Sequence, residues 1–441
     1  MIGEIFHALV HNKGLPIISS GGCMLTKLQS QFFNKPYRVM SLLCLLIITQ
    51  GFFHARPDEI ARGLRAIILA PAVLVSDYIA IGGIGATLVN VGLAGLLALL
   101  AMYIAQHEPS GLTFGTIGLV LGFAFFGKNP LNMLPIMLGG YLGSKFVRAP
   151  YKDFVLKSIL ATCLAPVVTQ LAFAGSFAAG WGVALGVGIG IFIGFIMYPL
   201  AAAMRKTHND LNLYNVGLAA GLGGVGLFAL FRLLGVDYAL MGIWSEGYDV
   251  HLAVLLAIVS VYLIACGYWA AGPKISLLAI IRMEADDNDF FVYYKERSYV
   301  AMGLLGLASL ALMWALGGEY SGPVIGAILS VVGFGAFGKS LPNAATLMAG
   351  ALLAALSHMA ITGVPFNNRG FLVAAFFATC LSPLARAFGI KWGLIAGFLH
   401  LALANQVAIF HGGMNLYNNG FAGGLAVMVL LPIIRFFRER I

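Results

Sequence analysis

Long apolar runs separated by short polar breaks dominate the chain. A helix needs about 20 apolar residues to cross roughly 30 Å of hydrocarbon. Runs near that length cover 37–53, 66–81, 84–105, 154–175, 181–204, 213–234, 250–271, 299–317, 369–389, 392–410 and 413–434. Two places hold paired shorter runs, 111–126 with 131–147 and 322–337 with 341–361. Each pair reads as a re-entrant hairpin or as two short crossings. The pattern predicts an all-α, polytopic membrane protein. His54 to Arg65 predicts an amphipathic interfacial helix. The one long polar excursion inside the chain, 274–298, places Glu284, Asp286, Asp287 and Asp289 among Lys274, Arg282, Lys295 and Arg297. It lacks the glycine and the terminal glutamate of a calcium loop, and reads as a linker between two halves.

The halves repeat one another. Residues 110–132 align without gaps to 321–343, with 11 of 23 positions identical and a shared F-x-x-F-G-K-x-x-x-N block. Chance in so biased a composition gives about two or three. Ala161-Thr162-Cys163-Leu164 then matches Ala378-Thr379-Cys380-Leu381, and Trp181-Gly182 matches Trp392-Gly393. His208-x-x-x-Asn212-Leu213-Tyr214-Asn215-x-Gly217 matches His411-x-x-x-Asn415-Leu416-Tyr417-Asn418-x-Gly420. Collinear blocks of this kind mark a duplication. The expected organisation is a polar segment over 1–36, an additional helix and interfacial segment over 37–65, a first membrane repeat over 66–235, and a second over 236–441 that includes the linker.

Composition agrees: 60% of the 441 residues are hydrophobic and only 10% charged, against about 25% in soluble domains. The net charge of +9 is no nucleic-acid signature, because the cations cluster in short loops as cytoplasmic loops do. With Arg435, Arg438 and Arg440 inside, the basic loops fall on one side, and equivalent loops of the two halves carry opposite bias. The repeats are therefore expected in inverted topology, in a bacterial plasma (inner) membrane, with a cytoplasmic C-terminus. The same count puts the N-terminus outside, against the preference of Lys13, Lys27, Lys35 and Arg38. The first 36 residues lack a signal-peptide layout, so insertion is expected to rely on internal segments. Cys23, Cys44, Cys163, Cys266 and Cys380 are scattered without metal-ligand spacing. No metal, cofactor or catalytic constellation is expected, and the chain does not read as an enzyme.

Two duplicated polar motifs carry candidate chemistry. Gly127-Lys128-Asn129-Pro130-Leu131-Asn132 and Gly338-Lys339-Ser340-Leu341-Pro342-Asn343 each sit between two short apolar helices. Glycine ends one helix while Asn129 or Ser340 caps the next. A lysine beside a helix N-terminus suits an anion, so Lys128, Asn129, Asn132, Lys339, Ser340 and Asn343 are the expected solute ligands. Asn212, Tyr214, Asn215, Asn415, Tyr417 and Asn418 head apolar helices and supply polar or ion ligands. Asp77, a carboxylate in an apolar stretch, is a candidate for coupling to Na+ or H+, with no evident twin. His208 and His411 read as interfacial, and Glu108 and Glu319 as surface residues flanking the hairpins.

On its paired G-K-x-x-x-N and N-L-Y-N-x-G blocks the chain resembles bacterial multi-pass membrane families of unknown function. That resemblance implies no activity. A fainter likeness is to the two-halved urea channels, whose Y-N-G-x-L-V-G stretch is similar to Tyr214-Asn215-Val216-Gly217 and Tyr417-Asn418-Asn419-Gly420. Their L-P-x-x-T-x-P-F filter is absent; Leu134-Pro135 and Val364-Pro365-Phe366 are its nearest fragments. In architecture the hairpins resemble carboxylate transporters with paired re-entrant tips. The expected function is secondary transport of a small anionic or zwitterionic solute, with a passive channel and, further off, a membrane enzyme as alternatives. Solute and lipid are the expected partners, nucleic acid is not, and self-association is left open.

Overall fold

The computed structural model describes residues 35–236, 240–271 and 276–438. All but the last two residues of the polar segment 1–36 lie outside these, as do Cys23, Lys274 and Arg440. Among the described residues the regular structure is helical, apart from one isolated bridge between Ser76 and Ile243. Ten helical stretches are long and apolar enough to cross a membrane.

The first half comprises α1 (Lys35–His54), α2 (Pro57–Leu69), α3 (Tyr78–Ile104), α4 (Gly111–Phe123), α5 (Pro130–Phe146), α6 (Val155–Ala161), α7 (Ala165–Phe173), α8 (Ala179–Thr207) and α9 (Asn215–Leu233). The second comprises α10 (Asp249–Ala271), α11 (Leu277–Ile281), α12 (Phe290–Tyr294), α13 (Arg297–Ala315), α14 (Gly322–Gly333), α15 (Leu341–Thr362), α16 (Arg369–Ala378), α17 (Ser382–Phe388), α18 (Ile390–Ala404) and α19 (Asn418–Arg438). Packing follows the repeat: α5 lies along α8 as α15 lies along α18. It also extends the correspondence upstream of the matched sequence, because α1 lies along α3 as α10 lies along α13.

The expected crossing at 66–81 does not form. Helix α2 ends at Leu69, before Pro71, and residues 72–77 form no helix, bending at Leu74 and Val75. Their amides find partners in a second non-helical piece: Val75 N donates to Met241 O at 2.6 Å and Asp77 N to Ile243 O at 3.2 Å. Helix α2, acidic in its first turn and apolar on one side, is an amphipathic helix that overlaps the 54–65 segment and runs a few residues beyond it. The Tyr37 hydroxyl at the start of α1 donates to His107 O just beyond α3. The far end of α1 places His54 against His251 of α10. Lys35 and Arg38 thus lie on the His107 face. That face also carries the linker, where Arg386 donates to Asn288 Oδ1 at 2.6 Å, and Arg435, whose guanidinium meets the Asn209 amide.

Both short pairs are hairpins whose ends share a face. Gln106–Glu108 before α4 and Lys152–Lys157 after α5 line one cavity mouth. Glu319 before α14 is ion-paired to Arg369 after α15. The 13-residue α4 is about 20 Å long, short of a full crossing. It packs against α14 with the start of each near the end of the other: a Cβ on Gly111 would meet Ala336 O, and one on Gly322 would meet Phe125 O. Between these points Gly118 and Gly122 face Gly333 and Gly326 with no room for side chains, so the two backbones touch.

Candidate functional site

The hairpin tips are held by their own residues. Gly127 and Gly338 turn at φ 138° and 81°, left-handed backbone that glycine tolerates. Asn129 Oδ1 accepts from Leu131 N and Asn132 N, both at 3.0 Å, while Asn132 Oδ1 accepts from Asn129 N at 2.9 Å. Asn132 Nδ2 closes the tip onto Gly127 O at 2.9 Å. In the second hairpin Asn343 Oδ1 accepts from Ser340 N at 2.9 Å and its amide donates to Gly338 O at 3.2 Å. In the first hairpin the helix start thus spends first-turn donors on Asn129, and in the second Asn343 takes the amide of the capping residue Ser340.

The lysines reach across to the other repeat. Lys128 Nζ donates to Tyr417 Oη at 2.9 Å, and Lys339 Nζ donates to Tyr214 Oη at 2.6 Å. Each ammonium also lies over its tyrosine ring, at 4.6 and 4.7 Å from the centroid. Both lysines are fully buried. No carboxylate lies within 4.0 Å of either among the described residues. The rings form a continuous layer: Phe123 contacts Tyr417 and Phe377, and Tyr214 contacts Phe377 and Phe334.

The A-T-C-L blocks explain how the tyrosines are held. Each becomes a tight 3-10 turn that breaks a buried crossing, between α6 and α7 and between α16 and α17. The break frees a carbonyl. Leu416 N donates to Cys163 O and Leu213 N to Cys380 O, both at 2.9 Å and both across the repeats. Asn212 and Asn415 turn their chains so that Oδ1 accepts from Tyr214 N and Tyr417 N, each at 3.0 Å. These asparagines are positioning residues, and the broken-helix carbonyls are partners that the sequence blocks alone did not reveal.

A cavity of about 860 Å³ opens on the linker face between α4, the start of α6 and α8. Lys152, Lys157, Arg205 and Lys206 line its mouth together with Glu108, Asp153 and Asp210. Its inner wall carries Tyr214, Asn215, Phe334 and Tyr417. Of the expected ligands, then, Tyr214, Asn215 and Tyr417 meet the cavity. Lys128 and Lys339 stand behind the tyrosines, and the remaining tip residues lie off the wall. Asn418, the twin of Asn215, is instead locked: its amide donates to Ala404 O at 2.8 Å and its Oδ1 meets His411 Nε2 at 3.1 Å.

Asp77 is no free coupling carboxylate. Fully buried, it caps α3 through Ile79 N at 2.9 Å and accepts from Ser245 N at 3.0 Å, Ser245 Oγ at 2.7 Å and Gly322 N at 2.9 Å. Its twin is Asp289, which caps α12 and accepts from Gly111 N at 2.8 Å. Each aspartate thus ties down the start of the other half's short helix. The sequence signal was an Asp-aromatic pair, Asp77-Tyr78 and Asp289-Phe290, ahead of each Ser-Gly hairpin opening. Burial, the largest influence on the Asp289 carboxyl, raises its pKa, against the opposing pull of the Gly111 and Val292 amides.

No curated protein and no solved structure matches the chain. A family model does match, over residues 56–233 and 273–436, stretches that together take in both copies of each paired block. The chain belongs to that family, described as Protein of unknown function (DUF1576).

Proposed function

We propose that the chain is a secondary carrier for a small solute with a carboxylate or comparable oxyanion head, working by alternating access of two inverted repeats in a bacterial plasma membrane. One observation carries this reading. The cavity ends on two tyrosines, each backed by a buried lysine of the opposite repeat that has no carboxylate partner. An unpaired ammonium away from water is costly, and an anionic solute would offset that cost. A tyrosine oxygen that accepts from lysine keeps its own O–H to donate, so the wall offers two polarised donors side by side. The antiparallel packing of α4 on α14 supports inverted repeats. The cation-rich linker face is read as cytoplasmic, which makes the cavity inward-open. On the opposite face Arg369 donates to Glu319 Oε2, Glu246 Oε1 and Ser245 O. That link, without an equivalent at the cavity mouth, favours a carrier over an open channel.

The test is ligand-dependent thermal stability of detergent-purified protein with carboxylates, inorganic anions, amino acids and urea-like amides, with and without sodium, followed by counterflow in proteoliposomes for any stabilising compound. Lys128→Met and Lys339→Met are expected to leave the unliganded protein at least as stable, since each removes a buried charge. Both should weaken solute binding roughly 10- to 150-fold, the worth of a charge-assisted hydrogen bond of about 1.5–3 kcal/mol. If both variants respond to anions as the wild type does, the anion reading is wrong. Flux without saturation or counterflow would instead mark a channel.

A further inference from the structure

The two halves hold equivalent residues in different arrangements, and two of these differences, an acid–base pair and a histidine–asparagine pair, run in the same sense. Glu108 and Glu319 are repeat partners, and Lys152 and Arg369 each stand nine positions ahead of their A-T-C-L blocks at 161 and 378. On the face opposite the cavity Arg369 Nε lies 2.9 Å from Glu319 Oε2, and its guanidinium reaches Glu246 at 3.3 Å. On the cavity face Glu108 and Lys152 both line the opening, yet no ion pair within 4.0 Å joins them.

The histidine–asparagine pairs differ in the same sense. His411 Nδ1 accepts from Asn415 N at 3.3 Å and its Nε2 meets Asn418 Oδ1 at 3.1 Å, which uses both ring nitrogens. His208 is equally buried, but neither of its ring nitrogens has a partner. Asn215 Oδ1 also lacks one, and Asn215 faces the cavity. Buried imidazoles and amides are ordinarily satisfied. Two orphaned groups that are repeat counterparts of a bonded pair indicate a bond that forms in another arrangement of the same chain.

We propose that Glu108 with Lys152, and His208 with Asn215, are the closing contacts of the cavity in a second state, as Glu319–Arg369 and His411–Asn418 close the opposite face here. The inference rests on the carrier reading, and it names the residues that gate access to that site. Closing the cavity draws Glu108, ahead of α4, onto Lys152 in the turn before α6, and seats Asn215 on His208. The reciprocal step parts Arg369 from Glu319 and Asn418 from His411. The two sets exclude one another, because each side opens as the other shuts.

Paired cysteines test this in membrane vesicles without any solute. In a chain whose native cysteines are replaced by alanine, Glu319→Cys with Arg369→Cys is expected to be bridged rapidly by a short bis-thiosulfonate reagent, which spans the length of the former ion pair as a direct disulfide would not, read as linked peptides by mass spectrometry. Glu108→Cys with Lys152→Cys should cross-link more slowly, and a four-cysteine chain should carry one bridge or the other but never both. A reporter of opposite sign is cavity labelling at Ala202→Cys by a water-soluble maleimide. Glu108→Gln should raise its rate and Glu319→Gln should lower it, each by about two- to five-fold, the range of an exposed ion pair. The proposal is overturned if the 108–152 pair stays unbridged while the 319–369 pair reacts fully, if both bridges form in one molecule, or if the two glutamine variants shift labelling alike. None of these readouts involves an anion. Failure of the lysine-dependent binding described above would therefore leave the gate standing, and failure of the gate would leave that binding intact.

Discussion

Asp77→Asn is expected to destabilise the folded protein by about 2–4 kcal/mol, well beyond the effect of Asp289→Asn at the equivalent position. The Asp77 carboxylate is fully buried and accepts four hydrogen bonds, three of them on Oδ2 from Ser245 and Gly322. An asparagine presents one acceptor oxygen and one NH2. Whichever way the amide turns, donors of Ile79, or of Ser245 and Gly322, face another donor. Hydrogen bonds to a charged acceptor are worth about 1.5–3 kcal/mol each, and a buried donor left unpaired costs about 1–3 kcal/mol. Asp289 is only half-buried and accepts from Gly111 and Val292 across 2.8 and 3.1 Å, so water can replace part of what it loses. The measurement is the monodisperse fraction after graded heating in detergent, followed by size-exclusion chromatography for both variants. Equal losses, or none for Asp77→Asn, would show that this clasp does not hold the halves together.

A second large effect is expected where α4 crosses α14. Gly122→Leu and Gly326→Leu should prevent assembly, and even Gly122→Ala should cost about 1–3 kcal/mol or more. The added Cβ of Gly122 would meet Gly326 O and Ser330 Oγ, and that of Gly326 would meet Gly122 O. Backbone carbonyls cannot rotate aside as a flexible side chain would, so the helices must separate. Separation would also pull Gly111 from Asp289 and Gly322 from Asp77, making the loss cooperative. Gly188→Ala in α8 is the matched control, since its Cβ would meet nothing. It should gain about 0.5–1 kcal/mol from the lower backbone entropy of the unfolded chain. The monodisperse fraction after graded heating in detergent, compared across all four variants, reads both signs in one assay. A Gly122→Ala variant as stable as Gly188→Ala would mean that the close crossing is not required.

The hydrophobic pattern by itself determined that this chain is a helical membrane protein with two related halves, because crossing lipid demands long apolar segments and duplication leaves collinear blocks. It also located Lys128, Lys339, Tyr214 and Tyr417, since lysine and tyrosine repeated inside apolar surroundings stand out without any coordinates. It misjudged 66–81, where apolar residues suit a crossing and a buried non-helical stretch equally well. There the choice depended on whether Met241 and Ile243 could satisfy a non-helical backbone, contacts more than 160 residues away in sequence. Only the tertiary structure decided that each lysine pairs with the tyrosine of the other half, that the asparagines cap and turn the chain while the tyrosines face the cavity, and that Asp77 has a twin in Asp289. Such facts follow from which helix crosses which. Equivalent residues also occupy different arrangements: Asn418 is bonded and Asn215 is not, although the local sequences around them match. Local sequence sets what each motif can bond to. The packing of one half against the other sets which of those bonds is made, because the partners lie on elements far apart in the sequence.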